Sequence, residues 1–135
     1  MQSKANLKVF PGIDIDDVDA AGYERQKTAL KEALQTYGTS NILGITVGND
    51  FVFNYMFDRE TLDVNGAAGL AASAMLKGNF TDIRQMLTSI NVNLPIGTAD
   101  SFFNADLLSA SDFGCAFIIP PTKVADLFLF LAWSM

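Results

Sequence analysis

Asn41-Ile-Leu-Gly-Ile-Thr-Val-Gly-Asn-Asp50 is the stretch on which the fold turns. Ile42, Leu43, Ile45 and Val47 form a near-continuous apolar run, the pattern of a parallel strand covered on both faces. Gly48, Asn49 and Asp50 end it with turn-prone polar residues. Enzymes of the α/β class present reactive groups at such carboxyl strand ends. Asn49 and Asp50 are therefore the first candidate site residues, and loop opening or helix capping is the alternative role for the same pair.

Strand and helix signals alternate on either side of this run. Upstream, Leu7 to Ile13 reads as a short strand, and Tyr23, Leu30, Ala33, Leu34 and Tyr37 recur at helical spacing until Gly38 stops the helix. The intervening Asp14, Asp16, Asp17 and Asp19 lack the central glycine and closing glutamate of an EF-hand, so they are expected to be a solvated loop and helix N-terminal charge. Downstream, Phe51, Phe53, Tyr55 and Phe57 either line a groove or pack under the next helix. A small-residue helix is expected around Ala67 to Leu76, and a separate amphipathic one from Asn79, with Phe80, Ile83, Met86, Leu87 and Ile90 on one face.

Leu94 to Ala99 reads as another strand, ending at Asp100, and Phe102 to Ala110 as a short helix or turn. Phe113 to Ile119 is expected to be a strand and Val124 to Trp133 a helix. About four parallel strands alternating with helices make this an α/β chain, which a doubly wound sheet and part of a (β/α)8 barrel both satisfy.

Composition narrows the chemistry. The 135 residues, half of them apolar, suffice for one domain and are too few for two ordinary ones, so residues 1–135 are read as a single domain. Nine basic against 15 acidic residues give a net charge of −6, which argues against nucleic acid as a partner. Histidine is absent, which excludes Ser-His-Asp and Cys-His arrangements and leaves acid and base work to carboxylates. The single cysteine, Cys115, sits in an apolar run and is expected to be a small core residue; no metal site and no cofactor are expected. Residues 1–8 lack the apolar core of a signal peptide, and the most apolar stretch, 124–133, falls short of the roughly 20 residues of a spanning helix.

Several blocks in order resemble the fungal members of glycoside hydrolase family 17, the cell-wall β-1,3-glucanases and glucanosyltransferases. Lys8-Val-Phe-Pro-Gly-Ile resembles the third strand of that family's barrel, and Tyr23 to Gly38, with Glu24-Arg-Gln-Lys-Thr-Ala-Leu, the helix after it. Leu43-Gly-Ile-Thr-Val-Gly-Asn resembles the fourth strand, and Pro95-Ile-Gly-Thr-Ala-Asp with Phe103-Asn the fifth strand and its loop. Asp112-Phe-Gly-Cys-Ala resembles the start of the sixth, and Ala132-Trp-Ser the end of the helix after it. The resemblance covers nearly all of this chain and about half of a (β/α)8 barrel, so it implies a partial TIM barrel.

By position, the resemblance implies that Asn49 orients substrate and that Asp50 stands where the family has its glutamate acid/base. Aspartate is one methylene shorter, which retracts the carboxyl group by roughly 1 to 1.5 Å, a misplacement that can cost about 100-fold in rate. Phe51, Tyr55 and Asp100 are the further candidate substrate-binding residues. Retaining glycosidases need a second carboxylate about 5 to 5.5 Å from the first; the family supplies it from its seventh strand, and neither Asp100 nor Glu60 matches it. Asp100 is followed by Ser101-Phe-Phe where the family has a small pair, and Ile119-Pro-Pro-Thr stands where it has an aromatic, histidine-bearing segment.

The implied function is that of a family 17-like protein of fungal cell-wall β-1,3-glucan metabolism, truncated and inactive alone. The alternatives are a noncatalytic glucan-binding or wall-associated module, or a truncated gene product without function. The family is secreted to the cell wall, whereas no signal peptide is read here. The expected partner is β-1,3-glucan or a related polysaccharide. An open arc with an apolar final helix further implies self-association.

Overall fold

The computed structural model describes residues 7–118 and 129–134. Its elements follow as β1 (Gly12–Ile13), α1 (Ala20–Tyr37), β2 (Ile45–Asn49), α2 (Phe51–Phe57), α3 (Ala67–Ser89), β3 (Ile96–Ala99), α4 (Ala105–Ala110), β4 (Phe113–Ile118) and β5 (Leu129–Ser134). The sheet order is that of the chain, β1-β2-β3-β4-β5. The first four strands are parallel, and β5 pairs antiparallel with β4.

Every helix contributes to one core. Ile13, Ile45, Val47 and Ile96 from the strands meet Leu34 of α1, Val52 and Met56 of α2, Leu76, Phe80 and Ile83 of α3 and Leu107 of α4 in a single buried cluster. The helices therefore lie on one face of the sheet, as in a segment of a (β/α)8 barrel; a doubly wound sheet would divide them between two faces. On the opposite face Ala99, Phe113 and Cys115 form a small separate cluster. Phe10 reaches Phe113 there with ring centroids 5.0 Å apart. Gly44 permits that contact, because a Cβ on it would lie 2.7 Å from the ring of Phe113 and 3.2 Å from that of Phe10.

Local chemistry sets the boundaries of α1. The Asp19 carboxylate accepts the N–H of Gly22 at 2.8 Å, and Gly38, at φ +73°, ends the helix with its own N–H on the carbonyl of Leu34. The expected stop at Gly38 is observed. The first strand is shorter than expected: apart from an isolated bridge between Val9 and Ile42, pairing begins at Gly12.

Two helix expectations are corrected. The separate helices around 67–76 and from Asn79 are one helix, α3. Ala72, Leu76, Phe80, Ile83 and Leu87 form a continuous buried stripe across Gly78 and Asn79, and its burial outweighs the roughly 1 kcal/mol that an interior glycine costs a helix. The helix expected over 124–133 is not found at 129–134, where β5 pairs with β4 from Ile118↔Leu129 to Phe113↔Ser134. Residues 124–128 lie outside the described residues. A short apolar run does not distinguish helix from strand by periodicity alone, and Phe128-Leu-Phe-Leu-Ala-Trp carries the aromatic content that favours a pleated surface. Among the described residues, no helix is long and apolar enough to cross a membrane.

Candidate functional site

The first three strands each deliver an aspartate at or just past their carboxyl ends: Asp14 after β1, Asp50 after β2 and Asp100 after β3. Between β2 and β3 the register shifts, with Thr46 opposite Gly97 but Asn49 opposite Ala99. Three steps along β2 thus match two along β3, a bulge that Gly48 accommodates at φ +80°. The extra residue leaves Val47 and Gly48 both buried and turns Asn49 outward to solvent. Asp50 follows in the left-handed region at φ 51°, its N–H donating to the carbonyl of Ala99 at 2.9 Å and its carboxylate accepting from Ser101 Oγ at 2.8 Å.

An open cleft of about 520 Å³ lies beside this turn, lined by Phe10, Gly12, Asp14, Gln26, Thr46 and Asn49, with Ala99 and Cys115 at its floor. Gln26 of α1 fixes the β1 side through two contacts with the backbone of Asp14: its Oε1 accepts the Asp14 N–H at 2.9 Å, and its Nε2 donates to the Asp14 carbonyl at 3.2 Å. The cleft thus sets an exposed amide, an exposed carboxylate, a hydroxyl and one aromatic residue in a lining that is mostly apolar. Such a mixture suits a polyhydroxylated ligand whose ring faces are apolar and whose rims need donors and acceptors. Cys115 is buried, and burial pushes its thiol pKa upward, away from a reactive thiolate.

The candidate residues separate sharply. Asn49 lines the cleft, whereas Asp50, half-buried, is not among the lining residues and turns its carboxylate to Ser101. Phe51 is only 3% exposed and belongs to the core, with Tyr55 tilted against it at 5.8 Å. Tyr55 is itself covered by the Arg59 guanidinium, 3.5 Å from its ring centroid, while Arg59 also pairs with Asp17 at 3.0 Å. Neither ring lines this cleft; both pack as described and also border a separate acidic groove with Asp14, Asp16, Asp17, Asn54 and Asp58.

Asp100 is 0% exposed. Its Oδ2 accepts the N–H of Val52 at 2.7 Å, and its Oδ1 accepts those of Phe53 at 3.3 Å and Phe102 at 3.2 Å. Burial raises its pKa to about 6; the three N–H groups oppose that shift and the nearby Asp50 charge adds to it. Asp14, Gln26, Thr46 and Phe10 were not among the sequence-derived candidates. Asp14 carried the same signal as Asp50, an acid directly after a strand; Gln26 carried none, since only the docking of α1 brings it to the cleft.

Over 118 residues, 85% of its length, the chain is 28% identical to the Aspergillus niger protein described as "Putative glucan endo-1,3-beta-glucosidase btgC". The chain spans 16% of that relative's length. The similarity is distant and partial, and it joins this α/β fold to a glycoside hydrolase-like sequence. No family model matches the chain, and no solved structure matches it.

Proposed function

We propose that this chain recognises β-1,3-glucan in the cleft at the carboxyl ends of β1 and β2 and does not hydrolyse it. The observation that carries the proposal is the outward turn of Asn49 at the bulge, beside a cleft whose walls mix amide, carboxylate, hydroxyl and aromatic groups. The distant similarity to a protein described as a glucan endo-1,3-beta-glucosidase supports glucan as the ligand class. Asn49 is the orienting amide, able both to donate to and to accept from sugar hydroxyls. Asp50 follows it in the turn, outside the cleft lining, with its carboxylate held by Ser101.

Hydrolysis with retention requires a nucleophilic carboxylate about 5 to 5.5 Å from the acid/base. Asp100, the carboxylate whose charge interaction with Asp50 is evident, is sealed from solvent and has its oxygens engaged by three backbone donors. It is no candidate for attack on a sugar.

Calorimetry with soluble β-1,3-gluco-oligosaccharides is expected to give saturable binding to the purified chain. Asn49→Ala should weaken it about tenfold, the equivalent of one lost hydrogen bond of roughly 1.5 kcal/mol. No reducing ends should be released by the chain or by Asp50→Glu, since general acid catalysis supplies about 100 to 10,000-fold and does not replace a covalent step. Absence of binding would remove the glucan assignment; turnover by either protein, above a contaminant control, would remove the claim of no hydrolysis.

A further inference from the structure

Asp100 combines complete burial with three backbone donors drawn from two segments, and it touches no ligand-accessible surface. Two of those donors, Val52 and Phe53, are the second and third residues of α2, whose N-cap is the left-handed Asp50. The third, Phe102, belongs to the loop whose Ser101 donates to the Asp50 carboxylate. Backbone bonds complete the knot, with Asp50 N–H on the carbonyl of Ala99 and Asp100 N–H on that of Cys115. We infer that Asp100 is the positioning residue of the cleft: it holds the turn between β2 and α2 in the conformation that presents Asn49 and Asp50, without contacting the ligand itself.

The physical case rests on what the turn would do unaided. A non-glycine residue at positive φ costs of order 1 kcal/mol or more and persists only where its surroundings impose it. Asp50 makes no side-chain cap to its own helix. The N–H groups that a capping side chain would ordinarily satisfy are taken instead by a carboxylate from the neighbouring strand end. Removing that acceptor leaves Val52 and Phe53 without it and frees Asp50 to return to an extended or right-handed backbone. The charged group acting on Asp100 among the described residues is Asp50; Asp58 and Arg59 stand about two turns away, at the far end of α2.

The positioning role rests on the glucan reading only for its effect on affinity, so the test has two separate readouts. In ¹⁵N-edited NMR spectra of the intact chain, the amides of Val52, Phe53 and Phe102 are expected to share one titration midpoint near the Asp100 value of about 6. In Asp100→Ala, which removes the acceptor altogether, that common step disappears, and the Asp50 Cα and Cβ shifts leave the left-handed range while those of α1 and α3 stay in place. The same variant should bind β-1,3-gluco-oligosaccharides at least tenfold more weakly than the parent chain.

Unchanged Asp50 shifts in a folded Asp100→Ala variant would overturn the inference, and so would wild-type affinity in that variant. Should the variant not fold, the parent chain decides: three amides without a common titration would overturn it, and a common one would support it. If the parent chain binds no glucan, the cleft assignment fails and the Asp50 shifts alone decide the positioning role.

Discussion

At the scale of single residues, Asp100 gives the chain a pH dependence of unusual sign. Most carboxylates in folded proteins are held below their ordinary pKa, so their contribution is lost in acid. Asp100 is raised to about 6, so the folded state binds its proton more tightly than the unfolded chain does. Its contribution to stability is fully present below the unfolded value near 4 and declines as pH rises through about 6, by up to about 3 kcal/mol. Asp82 acts in the other direction. Burial would raise its pKa, but hydrogen bonds from Lys27 and Tyr23, with the Lys27 charge, hold it below the usual value. Its stabilisation is present at neutral pH and lost as pH falls through that lowered value. Chemical denaturation from about pH 4 to about pH 8 should therefore show a declining component that Asp100→Asn abolishes; equal slopes in the two proteins would contradict the buried, ionisable Asp100 described above.

How far the site was legible also differs residue by residue. Asn49 and Asp50 could be found because a buried strand ending in an amide and an acid leaves a strong local pattern. Asp100 was found by the same pattern and assigned to ligand contact, because nothing in Thr98-Ala-Asp-Ser indicates that its carboxylate turns inward to meet α2. Phe51 and Tyr55 stand beside Asn49 in sequence, yet α2 starts at Phe51 and neither residue lines the cleft that Asn49 does. Cross-element hydrogen bonds and helix rotation are properties of packing, and no one-dimensional spacing carries them.

At the scale of elements, the two interior glycines of β2 and α3 make a matched pair. Gly48 sits at φ +80° with Leu76 and Phe51 within 3.2 Å of where a Cβ would be, so Gly48→Ala meets both backbone strain and crowding. Gly78 lies in the exposed part of α3 with nothing within 4 Å of its Cβ position. Gly48→Ala is expected to lower stability by about 1 to 2 kcal/mol, and Gly78→Ala to raise it by about 0.5 to 1 kcal/mol. Urea unfolding of the two variants would check both signs. A stabilised Gly48→Ala would mean that β2 does not carry the bulge. The same contrast explains what the sequence yielded: α1 was legible because its stop, Gly38, is a local signal, whereas the continuity of α3 through Gly78 comes from the sheet it covers. The β5 segment was misread because its partner strand, not its own periodicity, selects the extended form.

At the scale of the whole molecule, the helices cover one face of the sheet and leave its strand edges to be managed separately. Beside β1, Leu7 is 68% exposed, Val9 47% and Leu43 47%. Val9 and Leu43 adjoin through a backbone bond of 2.9 Å, so these side chains border an edge that is short and apolar. Of the two grounds on which self-association is expected, the apolar final helix does not carry over, because residues 129–134 form β5, and the open edge of the arc remains, at β1 among the described residues. Sedimentation at about 10 to 100 μM, the range in which exposed apolar surface drives association, is expected to show reversible self-association that Val9→Lys suppresses. A well-dispersed monomer across that range would show that this edge is tolerated.

The reversal of β5 has a consequence for how such a sheet can grow. A (β/α)8 barrel closes with all its strands parallel, and β5 breaks that direction beside β4. Extension of the parallel series is therefore confined to β1. Two copies related by a twofold axis would set their β1 strands in opposite directions, giving a finite, self-complementary pair in which no strand direction is left to propagate. The antiparallel strand thus acts as a terminator of the parallel series: a (β/α)8 ring built on β4 would first have to displace it.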